Sequence, residues 1–330
     1  MKIIHILYIV SVAAIAQLAA GCSDSVRYRS VEGGVWNTTY HVTYRSDRDM
    51  QDSILWVMRQ VERSLSPFDS GSLVSAVNRG DSVRVDSLLS RIFIVSQEVN
   101  LMSGGAFDPT VAPLVNLWGY GYRSAGVEPT QQAVDSLMML VGIRDCGITP
   151  DGYIRKKHPA TEFNFSAITK GYGCDLVGEM LRRNGCEDYM VEIGGEIALS
   201  GMSPRGKEWR VMVDAPVYCD TAVVHERMAV VALTGCGVAT SGNYRNYRDT
   251  GSGRTWHTIS TADGRPAVTD LLSATVVAPS CMLADAYATS CMAQTSDAAF
   301  RMLEFVPGVA GMLVTADTML VTSGFPEIIK

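Results

Sequence analysis

The sequence predicts an α+β protein, a single integrated domain of mixed and antiparallel sheets with flanking helices. Three observations predict it. Helix-period apolar patterns crowd the first part of the chain, over residues 54–65, 86–102, 130–142 and 166–184. Strand patterns crowd the remainder, so strands and helices do not alternate as in a doubly wound sheet. Roughly 300 residues follow an apolar leader, enough for one large domain, and no repeat or low-complexity segment divides them.

The leader, "MKIIHILYIVSVAAIAQLAAGC", has Lys2 at its start, an apolar run, and small residues before Cys22. It reads as a signal peptide over residues 1–21, too short and wrongly flanked for a membrane anchor. Ala19-Ala20-Gly21-Cys22 resembles a bacterial lipobox, with the usual leucine one place early at Leu18. The expectation is cleavage before Cys22, lipidation of its thiol, a polar tether over residues 22–30, and a domain over 31–330. Ordinary cleavage, with Cys22 incidental, is the alternative. No other run approaches the ~20 apolar residues of a membrane span.

"WNTTYHVTY", residues 36–44, alternates as a strand. Ile54, Leu55, Met58, Val61 and Leu65 mark a helix that "SPFDSGS" ends. Leu88, Leu89, Ile92, Val95, Val99 and Met102 share one face of a second helix, stopped by Gly104-Gly105. A third covers 130–142, and a fourth 166–184, closed by Asn184-Gly185. Strands follow at 189–193, 209–213, 228–233, 237–240, 255–260 and 273–277, with a helix over 278–292 and another near 297–305, then two strands.

The net charge of −6 is mild and no Lys/Arg run stands out, so nothing signals nucleic acid. Seven cysteines follow Cys22, with no CxxC pair and no zinc spacing. Cys281 and Cys291 share a predicted helix about 15 Å apart, too far to bond each other.

Chemistry concentrates in a few motifs. "NFSAITKGYGCD" places a strand against a helix with Ser166 as N-cap and Lys170 in the first turn, either an anion site or an ordinary capped helix. "VEIGGEIALSG" is a strand broken by Gly194-Gly195, either a bulge or a close approach to a ligand. "GGAFDPTVAPLVNLWGYG" is a loop rich in aromatic groups with Asp108 inside it. "RTWHTISTADGRPA" carries His257 in a polar block. "APSCMLADAYATSCM" reads as a buried helix, yet holds Asp285, with Thr289 one turn on. A buried carboxylate needs a partner.

Taken in order, these segments resemble ApbE-type FAD:protein FMN transferases from about Val31 to the C-terminus. "VWNTTY" looks like the family's opening AMGTTY-type strand, and "LSPFDSGSLVSAVN" like its LStYdpdSeisrlN segment. The Gly104 and Asn164 motifs are similar to its GgafDpTvgpLvnlWGfg and DfSaIAKGyavD motifs. "ATSGNYRNY" and "VVAPSCMLADAYATSCM" are similar to its SGdY and aptamlADalATal motifs.

The resemblance implies an ApbE-like (T-fold-like) enzyme of the bacterial envelope, membrane-anchored by lipid and facing the periplasm. It would move FMN from FAD onto a Thr or Ser hydroxyl of flavoprotein subunits in Nqr- or Rnf-type complexes, releasing AMP. It implies Mg²⁺ held by Asp285, Thr289 and the Ala167 carbonyl, a hard-oxygen set. Lys170 falls on an FAD-binding lysine; Trp36, Phe68, Ala106, Phe107, Asp108 and Asn164 fall on further FAD positions, with Thr258 and Ile259 lining the same cleft. His257 is the candidate proton acceptor. The chain departs from the family at Trp36-Asn37 (usually Met-Gly), Asn164 (usually Asp) and Ser260 (usually an acid). Rival readings are an FAD pyrophosphatase and a non-catalytic FAD-binding lipoprotein.

Overall fold

Strand alternation and two-residue turns build the centre of the protein. The computed structural model describes residues 27–123, 129–217, 226–243, 247–250 and 253–329. The leader and Cys22 lie outside the described residues. In chain order, strands β1 (Arg27–Val35) and β2 (Thr38–Ser46) precede helices α1 (Gln51–Leu65), α2 (Leu73–Arg79), α3 (Ser87–Met102), α4 (Ala112–Leu117) and α5 (Gln131–Met138). The short pair β3 (Gly147–Ile148) and β4 (Ile154–Arg155) leads to α6 (Ser166–Arg183). Then come β5 (Tyr189–Ile193), β6 (Glu196–Ser200), β7 (Trp209–Asp214), β8 (Arg227–Leu233), β9 (Cys236–Gly242), β10 (Tyr247–Thr250), β11 (Gly253–Trp256) and β12 (Leu271–Ala278). Helices α7 (Cys281–Met292) and α8 (Ser296–Phe305) and strands β13 (Ala310–Thr315) and β14 (Met319–Val321) complete the described chain.

Eight strands form one antiparallel sheet in the order β1-β2-β5-β6-β9-β12-β13-β14. Its helix-bearing face holds the main core. Tyr40, Val42, Tyr44, Val191 and Ile193 from the sheet pack with Ile54, Met58, Val177 and Leu181 from α1 and α6. Ala274 and Val276 belong to a second cluster with Ile168 of α6, Phe93 of α3 and Ala284 and Ala286 of α7. The β7–β8 hairpin covers the opposite face through Trp209, Val211 and Val231, which pack with Leu199 and Val238.

Several boundaries differ from the sequence reading. The segment 27–30, expected in the tether, opens β1. It is an exposed edge strand whose polar outer positions hide the alternation. Trp36 and Asn37, expected inside a strand, are the turn of the β1–β2 hairpin, with φ of 48° and 61°. That is the left-handed pair a two-residue hairpin turn demands. Gly194-Gly195 is likewise the β5–β6 hairpin turn (φ 65° and 100°), not a bulge. The third helix stops at Met138 rather than near Gly142. The strand expected over 255–260 ends at Trp256. The short helix α2 falls in a stretch that reads as loop.

Helix α7 lies in the middle, buried on nearly every side. Its alanines leave room for the sheet and α6 to close on it. Two glycines set the spacing. A Cβ on Gly171 of α6 would sit 2.2 Å from the Cys281 carbonyl oxygen, and one on Gly237 of β9 would sit 2.1 Å from the Cys281 nitrogen. Both obstacles are backbone, which cannot swing aside. Gly171→Ala should therefore cost about 1–3 kcal/mol or more of stability through overpacking, read as a lower denaturant midpoint.

Candidate active site

A cleft of about 750 Å³ opens where four pieces of the fold meet. They are the β1–β2 and β5–β6 turns, the start of α6, the middle of α7, and a rim built from the 104–121 and 255–267 loops.

Asp108 organises the first rim loop. Its Oδ1 accepts from the Thr110 N–H at 2.8 Å and the Thr110 hydroxyl at 2.5 Å. Its Oδ2 accepts from the Ile143 N–H at 3.0 Å and the Asn100 amide at 3.3 Å. Burial pushes the Asp108 carboxyl above its ordinary value, against the pull of these bonds. The second loop is fastened to the first. Trp118 Nε1 donates to the Gly264 carbonyl at 2.8 Å, Tyr120 OH to the Thr255 carbonyl at 3.0 Å, and Thr261 Oγ1 to the Gly105 carbonyl at 2.6 Å. Within it, Ala267 N–H donates to the Thr258 carbonyl at 2.9 Å and Ile259 bridges to Pro266. This brings His257, Thr258 and Ile259 to the cleft wall.

The floor is charged. Lys170, in the second turn of α6, points its ammonium at Glu196 Oε2, 2.5 Å away, with Asp285 Oδ1 at 4.0 Å. Glu196 and Asp285 are 3% and 2% exposed, whereas the Lys170 side chain keeps 34% of its surface open. Burial works to lower the Lys170 pKa, but the Asp285 and Glu196 carboxylates outweigh it and hold the ammonium above its ordinary value. Burial raises both carboxyls, and Lys170 draws each back down. In an α-helix each carbonyl faces the amide four residues on, so the Gly171 N–H faces the Ala167 carbonyl. The same N–H donates to Asp285 Oδ2 at 3.0 Å, which brings the carboxylate to the start of α6. Thr289, one turn further along α7, lies 3.5 Å from the Ser241 hydroxyl.

Every site residue expected from the sequence, Cys22 apart, lines this cleft. Their parts differ from expectation in three places. Asp108 has both oxygens committed to protein donors, so it builds the wall. Ser166 is the first residue of α6 rather than its cap; Phe165 holds the cap position without a side-chain bond, and Asn164 Oδ1 accepts the Ser166 N–H at 2.9 Å. Phe68 is 67% exposed at the rim, edge-on to Tyr122. Trp36 packs on α6 where Gly173 leaves room, and its buried indole N–H has no acceptor among the described residues. Sequence reasoning missed Glu196. The available signal was its parity with Ala198, two residues on in "EIALS", directly after the paired glycines.

A sequence model described as "ApbE family" matches residues 36–313. The chain belongs to the ApbE family. It is 32% identical over 320 residues to a protein from Vibrio cholerae named FAD:protein FMN transferase, covering 94% of this chain and 93% of that one. It is 30% identical over 329 residues to a protein of the same name from Haemophilus influenzae, covering 95% and 94%. A solved structure described as the flavin transferase ApbE from Vibrio cholerae superposes with a TM-score of 0.80 at 30% identity, over 91% of this chain and 98% of that one. The ApbE fold is thus the single α+β domain expected.

If Asp108 holds the rim together, Asp108→Asn leaves amide hydrogens facing donors it now accepts from. The variant should lose about 1–3 kcal/mol of stability in a urea titration. Wild-type stability in that variant would mean the four hydrogen bonds do not carry the loop.

Proposed function

We propose that this protein transfers FMN from FAD to a Thr or Ser hydroxyl of an acceptor protein and releases AMP. The observation that carries this reading is the buried Lys170–Glu196–Asp285 cluster beside Thr289 in a cleft of ligand size. Around it stand the Trp36 indole N–H, the α6 N-terminus and the His257 loop. A displacement at phosphorus needs positioning and electrostatics more than covalent help from the protein. In the proposed reaction the acceptor oxygen bonds to the FMN phosphorus, and the P–O bond to AMP breaks. Lys170 offers its ammonium to the diphosphate, and the α6 N-terminus adds its dipole. His257 takes the acceptor's proton.

The residues present fit a magnesium ion. Asp285, Thr289 and the Ala167 carbonyl offer only hard oxygen donors. Two buried carboxyl groups also face a single ammonium there. When bound, the ion neutralises charge developing on the departing phosphate. The further reading is a lipoprotein tethered through Cys22 at the bacterial envelope. It faces the periplasm, and its acceptors are flavoprotein subunits of Nqr- or Rnf-type complexes. The resemblance of the leader to a lipobox and of the domain to exported flavin transferases supports it.

Incubation with FAD, MgCl₂ and a candidate acceptor should add the mass of one FMN to the acceptor and release AMP. FMN and AMP without acceptor modification would identify a hydrolase instead. Asp285→Asn should keep a near-normal melting temperature without metal, lose turnover, and lose the extra stability that Mg²⁺ with FAD gives the wild type. Full turnover with an unchanged Mg²⁺ response would remove Asp285 from the metal site.

Cys22→Ser should move the protein from the membrane to the soluble fraction on cell fractionation. Membrane retention equal to the wild type would rule out the thiol tether.

A further inference from the structure

We propose that Cys174 and Cys281 form a redox modification site: by exchange with a disulfide oxidant during folding, they close to a disulfide that staples α6 to α7. The inference goes beyond the flavin reading and does not depend on it.

The two cysteines belong to different helices and stand 107 positions apart. The close crossing of α6 and α7 brings them together. Gly171, Cys174 and Asp175 lie on one face of α6, at the spacing of one helical turn. A Cβ on Gly171 would sit 2.2 Å from the Cys281 carbonyl oxygen. Asp175 Oδ1 accepts from the Cys281 N–H at 2.9 Å. Cys174 is thus flanked on α6 by two residues that touch the Cys281 backbone, one at its carbonyl and one at its amide.

The side chains meet as well. The two thiols are hydrogen-bonded to each other. Each also reaches a carbonyl of the sheet, Cys174 Sγ that of Glu196 at 3.2 Å and Cys281 Sγ that of Val238 at 3.7 Å. Those acceptors stand on paired strands, since Ile197 of β6 is in register with Val238 of β9. Both thiols are free in the structure, and both residues are fully buried. A disulfide needs an S–S separation of about 2 Å, a short closure from a thiol–thiol contact.

No oxidant reaches sulfurs buried this deeply, so the bond forms before α7 settles on α6. One cysteine thiolate attacks a sulfur of the oxidant's disulfide, which leaves a mixed disulfide and releases one oxidant thiol. The second cysteine attacks the protein sulfur of that mixed disulfide and releases the other oxidant thiol. Two protein thiols become one disulfide, and the two electrons leave with the oxidant as two thiols. The bond would pin α7 to α6 one turn before Asp285. A pair that served only as packing would behave as two small hydrophobes and stay reduced.

The test refolds the full chain from urea in two buffers, one with glutathione disulfide and one with dithiothreitol. Each product is denatured without reductant, alkylated, digested and mapped by mass spectrometry. The first should yield the Cys174 and Cys281 peptides joined, lighter by two hydrogens than their sum. The second should yield both peptides alkylated. The joined form should melt about 5 °C or more above the reduced form, because the bond closes a long loop. Cys174→Ala should abolish that difference. Cys291→Ala, which leaves the pair intact, should keep it. Full alkylation of Cys174 and Cys281 in both buffers overturns the proposal. A link from either one to another cysteine, Cys22 and Cys219 included, overturns it too.

Discussion

The close crossing of α6 and α7 is the contact on which the rest of the protein depends. It exists because Gly171 has no side chain where the Cys281 carbonyl arrives. The Gly171 N–H becomes the donor that satisfies one oxygen of Asp285. Asp175, one turn along α6, accepts from the Cys281 and Met282 N–H groups, both at 2.9 Å, and so caps α7. The two helices therefore exchange backbone donors for carboxylate acceptors along their seam. A helix as buried as α7 can carry an acidic residue because the neighbouring helix supplies the hydrogen bond. The seam that closes the core also presents Asp285 to the cleft.

Burying charge in this way is not a route to stability. A desolvated ion pair at best offsets its own solvation loss, and an apolar replacement of similar volume is often as stable. The cluster of Lys170, Glu196 and Asp285 goes further, since two buried carboxyls share one ammonium. The fold accommodates it by placing each member on a rigid element. Lys170 stands near the start of an 18-residue helix, Asp285 in the centre of α7, and Glu196 immediately after a hairpin turn. Such positions hold geometry better than loops do.

Much of this was legible in the sequence, and the gaps have physical causes. The helix periods of α1, α3 and α6 and the apolar character of α7 are local properties, and they appear where expected. The motif residues cluster in one cleft because their spacing carries the resemblance to the ApbE family. The partner of a buried charge is not a local property. Asp285 reads as anomalous in isolation, but the sequence does not say that the Gly171 amide meets it, or that Glu196 lies across the cleft, 89 positions away. Turn geometry was obscured for a different reason. Trp36-Asn37 lacks the Asn-Gly signature of a tight hairpin, and its left-handed backbone accompanies packing of the Trp36 ring on α6. The edge strand β1 hides because one polar face and an exposed margin erase the period-two signal.

The motifs contain more acidic residues than the cleft can use, and residual acceptor capacity sorts them. A carboxylate has two oxygens and room for about four donors. Asp108 is filled by four protein donors, and Asp175 has a backbone amide on each oxygen. Making either one a ligand would require dismantling a loop or uncapping α7. Asp285 has one amide on Oδ2 and only the 4.0 Å approach of Lys170 to Oδ1. Glu196 Oε2 meets the Lys170 ammonium at 2.5 Å. The acids that are motif residues but structurally saturated build the walls, and those with capacity left stand on the floor. Saturation by protein donors, rather than membership of a motif, separates the acids of the walls from those of the floor.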